Sequence, residues 1–247
     1  MNQERYLKAI DERCSRRTYI TKDIEMEKVN SLQRCIKNLN EMSGLNLQLQ
    51  LNGPELFKGF SSSYGMLKGV GAYFALVGSK DDKDLLEKVG YFGEILALEA
   101  TALGLGTCWI GGTYDRKLCA KLIDLKENEE LVAIITVGYT PVDKTFKEKM
   151  ISKLSHRKTK TVEEMYHSNE EVPNEFINGM KAVQKAPSAL NKQPVKFHFT
   201  NGVVTTSTLN STGYEKIDLG IAKLHFEIGS GLQKKFEIEN GQSVYKF

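Results

Sequence analysis

Tyr91–Gly112 reads YFGEILALEATALGLGTCWIGG, a long apolar helix running straight into a glycine-studded turn that carries Trp109, the only tryptophan of the chain. Val89, Phe92, Leu96, Ala100 and Leu103 fall at the three-and-four spacing of a buried helical face. Glu87, Glu94 and Thr101, spaced by sevens, mark a narrow polar side. A helix with so little polar surface requires protein cover on nearly every side. Gly104 is placed to end it in the left-handed conformation, and Gly106, Gly111 and Gly112 allow a close backbone approach. Trp109 reads as core packing, and Cys108 beside it as a small buried residue.

Composition narrows the class. The 247 residues are 40% hydrophobic and 26% charged, as in ordinary globular chains, with room for one large domain or two small ones. A net charge of +3 argues for neither nucleic acid nor a membrane surface. Cys14, Cys35, Cys108 and Cys119 form no CxxC pair, and no signal peptide or long apolar run is present, so a reduced, cytoplasmic setting is expected. The histidines at 156, 167, 198 and 225 lie far apart, with no metal-binding spacing.

Outward from the central stretch, helices are predicted over 3–11, 26–42, 172–184 and 215–229, with Thr21 or Asp23 capping the second and Pro173 in the first turn of the third. Strands are predicted over 45–52, 71–79, 131–139, 195–209 and 235–238, and a short helix over 116–122. Asn201-Gly202 marks a hairpin. Residues 140–170 are lysine-rich and weakly periodic, the best linker candidate. Two parts of the chain then run through similar elements in the same order: a basic-hydroxyl segment (Arg13-Cys14-Ser15; Arg157-Lys158-Thr159), a helix, strand material, a core helix, and an apolar strand (131–138; 235–238).

Three segments carry chemistry. Arg13-Cys14-Ser15-Arg16-Arg17 can hold an oxyanion through charge-assisted bonds, or can be a solvated basic turn. Ala186-Pro187-Ser188-Ala189-Leu190-Asn191-Lys192-Gln193-Pro194 has the residues of an ordinary helix-to-strand loop. Gly104-Leu105-Gly106-Thr107-Cys108-Trp109-Ile110-Gly111 begins like a dinucleotide fingerprint but places Trp109 where the third glycine belongs, and follows a helix rather than a strand.

Together the three resemble the motifs of the nitroreductase family, FMN-dependent α+β oxidoreductases, and the resemblance spans most of the chain. One departure is large: the Pro-Ser-x-x-Asn loop falls after the central helix instead of before it. Family members are usually homodimers with FMN at the interface, so the chain is similar to the single-chain, fused-dimer nitroreductases of bacteria. The implied fold is an α-β-α sandwich of two pseudo-repeated halves in one domain, 1–152 and a degenerate 153–247, forming an intrachain pseudo-dimer. A monomer with one FMN and an empty symmetry-related site is expected.

The resemblance also implies roles. Arg13 and Arg17 would meet the FMN phosphate and the N1/O2 edge, Ser15 the phosphate, and Cys14 lies within the same motif. Arg157 would be a second phosphate ligand or an exposed linker charge. Pro187, Ser188, Ala189 and Asn191 would wrap the ring, and Ile110, Gly111 and Gly112 would turn backbone N–H groups toward N5 and O4. No side chain stands out as an obligatory acid or base; solvent or a serine at 61–63 would supply protons. The implied activity is transfer of hydride from NADH or NADPH through FMN to nitroaromatics, quinones or related acceptors by ping-pong turnover. The alternatives are a specialised flavin oxidase or dehalogenase reaction on the same fold, or a non-catalytic FMN-binding protein. The open face of the ring would be lined by 53–72 and 205–214.

Overall fold

The computed structural model describes residues 2–57, 67–145, 148, 159–209, 212–239 and 242–247. Among these residues, six α-helices and nine strands follow one another as α1 (Gln3–Glu12), α2 (Met26–Ser43), β1 (Asn46–Gln50), β2 (Ala72–Ser79), α3 (Leu85–Ala102), β3 (Gly106–Ile110), α4 (Arg116–Leu122), β4 (Glu129–Gly138), β5 (Tyr166–Ser168), α5 (Asn174–Lys185), β6 (Val195–Thr200), β7 (Val203–Thr208), α6 (Glu215–Ser230), β8 (Glu237–Glu239) and β9 (Gln242–Lys246). Among the described residues no helix is long and apolar enough to cross a membrane.

The mixed α+β architecture has two sheets. The first, ordered β1-β2-β4-β3, is antiparallel throughout. Its central strands are continuous apolar runs because both faces are covered. Phe74, Leu76 and Ile135 face α2 and α3, while Tyr73, Val77 and Ile134 face Cys119 of α4. The second sheet, ordered β5-β6-β7-β9-β8, is antiparallel except for the β5–β6 pair. Phe197, Phe199 and Tyr245 pack one face of it against Phe176 of α5 and Phe226 of α6. Along β6 buried and part-exposed residues alternate, the mark of a sheet covered on one side.

Between the sheets α3 crosses α6. A Cβ on Gly90 would overlap the carbonyl oxygen of Ile217, and a Cβ on Gly220 that of Glu87. The two glycines are therefore reciprocal, each admitting the other helix's backbone. Glu215 lies as far from Leu85 in sequence as Gly220 does from Gly90, so the helices share one register from their first residues. The polar stripe of α3 points into protein: Glu87 pairs with Lys223 of α6, Glu94 is fully buried, and Thr101 Oγ1 donates to Ala97 O at 2.8 Å.

Several expectations change. GTCWI, read as part of a turn, is edge strand β3; its residues pair with β4, a non-local partner that outweighs the local glycine signal. Strand β9 was not expected. It puts β8 opposite β3 and β9 opposite β4 in sheet order, so the partner of 131–138 is Gln242–Lys246 rather than 235–238. Neither Thr21 nor Asp23 caps α2, whose N-cap is Glu25 without a side-chain bond. Pro173 is the N-cap of α5. The end of the linker candidate is built into the fold, with Met165 buried and Tyr166–Ser168 paired along β6. Gly104 ends the central stretch at φ +77 as anticipated, and Asn201 (φ 51) and Gly202 (φ 73) form the hairpin.

Candidate functional site

The arginine segment leaves α1 in extended conformation and runs beside β3. Ser15 bridges Thr107, and Arg16 N donates to Thr107 O at 2.9 Å. Alternation along extended chain sorts the arginines. Arg16 turns inward to Pro141 O (2.7 Å) and Glu148 (3.4 Å), so it is structural. Glu148 also accepts from the backbone N–H groups of Arg17 (2.7 Å), Thr18 (3.2 Å) and Thr145 (2.9 Å). Burial pushes its carboxyl up, but these donors outweigh burial and hold it at about 2. Arg13, Ser15 and Arg17 lie around Cys108; burial raises that thiol, and the two cations and the Ser15 hydroxyl oppose the rise. Cys14 is half-buried with a free thiol.

Arg13 carries a buried charge that the site does not fully satisfy among the described residues. Its side chain is 7% exposed, and Nε lies 3.5 Å from Glu94 Oε1, an ion contact longer than a good hydrogen bond. Among the described residues, Nε and Nη1 have no hydrogen-bond partner. Glu94 is fully buried and already engaged: Oε2 accepts from Trp109 Nε1 at 2.7 Å, and Oε1 lies 3.0 Å from His225 Nε2. His225, also fully buried, reaches Ala182 O of α5 through Nδ1 at 3.0 Å. Strand β3 and helices α3, α5 and α6 thus meet at one carboxylate beside Arg13. Trp109 is more than packing, since it donates to that carboxylate.

The loop from Ala186 to Pro194 is backbone-strained. Leu190 and Asn191 (both φ 52) and Gln193 (φ 46) are left-handed without being glycine, each costing roughly 1–2 kcal/mol. Such strain persists where surrounding bonds over-determine it. Asn191 N donates to Ser188 O (2.9 Å), Gln193 N to Ser188 Oγ (3.0 Å), and Lys160 N to Gln193 Oε1 (2.9 Å). Ala189 N donates to both oxygens of Asp218 on α6, at 3.0 and 3.2 Å. Burial raises the Asp218 carboxyl to about 7, the Ala189 bond opposing and Glu215 reinforcing the rise. Pro187 and Ser188 line a small cavity of about 10 Å³ shared with Met165, Val183 and Asp218. Leu190 is thrust 69% exposed at the tip.

The glycine turn is covered rather than bare. Ile110 ends β3 with its side chain buried, and Gly111 O accepts from Arg116 Nη1 at 3.3 Å. A Cβ on Gly111 would lie 2.7–2.9 Å from the ring of Tyr214, and one on Gly112 3.6 Å from its hydroxyl. Gly111 is glycine here because a tyrosine from the second sheet's half lies against it. Tyr214 closes a link to the loop, since its carbonyl accepts from Asp218 N at 3.0 Å. A second link joins Lys185 Nζ to Asp11, 2.5 Å apart, two residues before Arg13. The arginine segment, the turn and the 186–194 loop are therefore neighbours. Arg157 and Ser61–Ser63 lie outside the described residues. Glu94, His225 and Asp218 were missed from sequence, their only signals being the polar stripe of α3 and a lone histidine in an apolar helix; Tyr214 falls in the stretch 205–214 expected to line the open face of the ring, without having been singled out.

The model for the family described as putative TM nitroreductase matches residues 5–230. Among solved structures, a protein described as a putative nitroreductase from Thermotoga maritima is 21% identical, and the match covers 97% of this chain and 91% of that one, with a TM-score of 0.62. An FMN-dependent nitroreductase from Clostridium difficile R20291 is 17% identical over 63% of this chain and 99% of its own, at 0.47. A nitroreductase with bound FMN from Desulfitobacterium hafniense DCB-2 is 18% identical over 58% and 92%, at 0.46. No curated protein matches the chain. With the family model spanning most of its length, the chain belongs to the putative TM nitroreductase family and so to the nitroreductase-type oxidoreductases.

Proposed function

We propose that the protein is an FMN-dependent NAD(P)H oxidoreductase built as a fused pseudo-dimer with one flavin site. The observation that carries this is Arg13: a guanidinium 7% exposed, with two nitrogens lacking hydrogen-bond partners among the described residues, fits an anionic group such as the FMN phosphate. Arg17 and Ser15 would add a second cation and a hydroxyl on the same side of the segment. Pro187, Ser188, Ala189 and Asn191 would hold the ring edge from the other half, their strained backbone already locked by Asp218 and Lys160. The Ile110–Gly112 turn fits less simply, because Tyr214 covers Gly111. Tyr214 is half-buried and offers an aromatic face where bare backbone was expected. When bound, FMN would supply hydride transfer between NADH or NADPH and a nitroaromatic, quinone or related acceptor.

Purified protein tests the reading. A yellow colour released on denaturation, saturating near one FMN per chain and bleached by NADH or NADPH without oxygen, is expected. Colour without bleaching favours a non-catalytic flavin protein, and failure to take up added FMN overturns the cofactor assignment. Arg13→Ala and Asn191→Ala should each weaken FMN binding; loss in only one refutes the shared site. Light scattering should show a monomer.

A further inference from the structure

The contact between Glu94 and His225 admits only one proton count. His225 Nδ1 faces the Ala182 carbonyl, which can only accept, so Nδ1 carries a hydrogen. Nε2 faces Glu94 Oε1 at 3.0 Å in a fully buried setting. With no proton between them, two lone pairs would oppose each other at hydrogen-bond distance. One proton therefore lies in that contact. Whichever group holds it, a neutral acid with a neutral ring or a carboxylate with an imidazolium, the pair has no net charge.

Glu94 is thus not a counterion for Arg13, although its Oε1 is 3.5 Å from Arg13 Nε. Trp109 and His225 occupy the carboxyl group, and the guanidinium keeps a full positive charge in a buried site, with two nitrogens that have no hydrogen-bond partner among the described residues. A buried charge in this state calls for an anion. We propose that His225 and Glu94 are positioning residues. They hold the Arg13 guanidinium in place while reserving its charge for a phosphate monoester, and so set selectivity for a phosphorylated flavin over its unphosphorylated form. His225 comes from α6, so the second half would complete the anion site without touching the anion. The inference rests on the FMN reading only for the identity of the anion.

The test compares FMN with riboflavin, which lacks the phosphate. His225→Gln keeps an N–H donor toward Glu94 but removes the shared proton, leaving a plain carboxylate beside Arg13. FMN affinity should fall by about tenfold, with riboflavin affinity unchanged. Glu94→Gln added to His225→Gln removes that carboxylate and should restore the FMN preference, a recovery that no packing role explains. An unchanged ratio in His225→Gln, an equal loss for both flavins, or no recovery in the double variant overturns the proposal. If His225→Gln does not fold, as judged by its melting, Glu94→Gln alone decides. Retention of the wild-type preference supports the proposal, and a tenfold gain in FMN affinity, expected if Glu94 neutralised Arg13, overturns it. If the wild-type protein takes up neither flavin, the FMN reading fails separately. Inorganic phosphate is then titrated against the fluorescence of Trp109, which is bonded to Glu94. A response lost in His225→Gln and regained in the double variant upholds the reserved charge; a response absent or indifferent to His225 overturns it.

Discussion

The two sheets share a plan and differ in what hangs from it. β1-β2-β4-β3 and β6-β7-β9-β8 have the same order and the same antiparallel sense, each with one core helix at the α3–α6 crossing. The connections differ in opposite directions. Residues 111–128, with the glycine turn and α4, join β3 to β4, whereas only residues 240–241 separate β8 from β9. Residues 186–194 join α5 to β6, whereas Gly44 and Leu45 suffice between α2 and β1. These two long connections come one from each half, and they are joined through Tyr214 and Asp218; residues 51–71 between β1 and β2 are a third, matched by only 201–202 between β6 and β7. The strand order is shared and the connections are not, as expected where loops vary on a common framework.

The sharpest way to break the comparison is at the crossing. Gly90→Ala and Gly220→Ala each drive a methyl into the opposite backbone, which cannot swing aside; each should cost about 3 kcal/mol or more in chemical denaturation. If one is tolerated, the reciprocity of the helices is only apparent.

Each half also ties one of the motif segments with a buried acid, and the two should answer pH in opposite senses. Glu148, held at about 2 against an ordinary 4.5, contributes stability that is full above 4.5 and lost as pH falls toward 2. Glu148→Gln should cost about 2 kcal/mol at pH 7, with the gap to wild type closing below pH 4.5. Asp218, raised to about 7 from 3.8, keeps its proton in the folded state when the unfolded chain has lost it. Stability should then decline as pH rises from about 4 to 7 and level off above. Asp218→Asn, which can still accept the Ala189 N–H, should stabilise by on the order of 1–2 kcal/mol at pH 8 and by nothing near pH 4. Melting curves across pH check both, and like signs would refute the contrast.

The smallest effect sharpens the comparison at its turns. Gly202→Ala, at φ +73 with open space around it, should cost about 1 kcal/mol, less than either crossing glycine because only backbone strain is involved.

Much of this was legible locally. The periodicity of α3, α5 and α6, the apolar runs of β2 and β4 and the Asn201-Gly202 turn reflect forces acting within a few residues, so pattern alone placed them. The strand β3 was not legible, because Gly106–Ile110 owes its conformation to pairing with Gly138–Ile134, a partner distant in sequence. The short β9 was missed for the same reason. Of the candidate site, the three motif segments could be picked out, with Arg13, Ser15 and Arg17 named through the family resemblance; the turning of Arg16 toward Pro141 and Glu148 could not.

What the sequence by itself determined is the inventory: two core helices, a narrow polar stripe on the first, and three segments that resemble the motifs of the nitroreductase family. The tertiary structure alone decided which charges are spoken for. Glu148 is bound to backbone donors, Glu94 is shared with His225 and Trp109, Tyr214 lies on Gly111, and two nitrogens of Arg13 have no partner among the described residues. Those outcomes depend on burial and on contacts between the two halves, and local pattern in a chain carries no record of either.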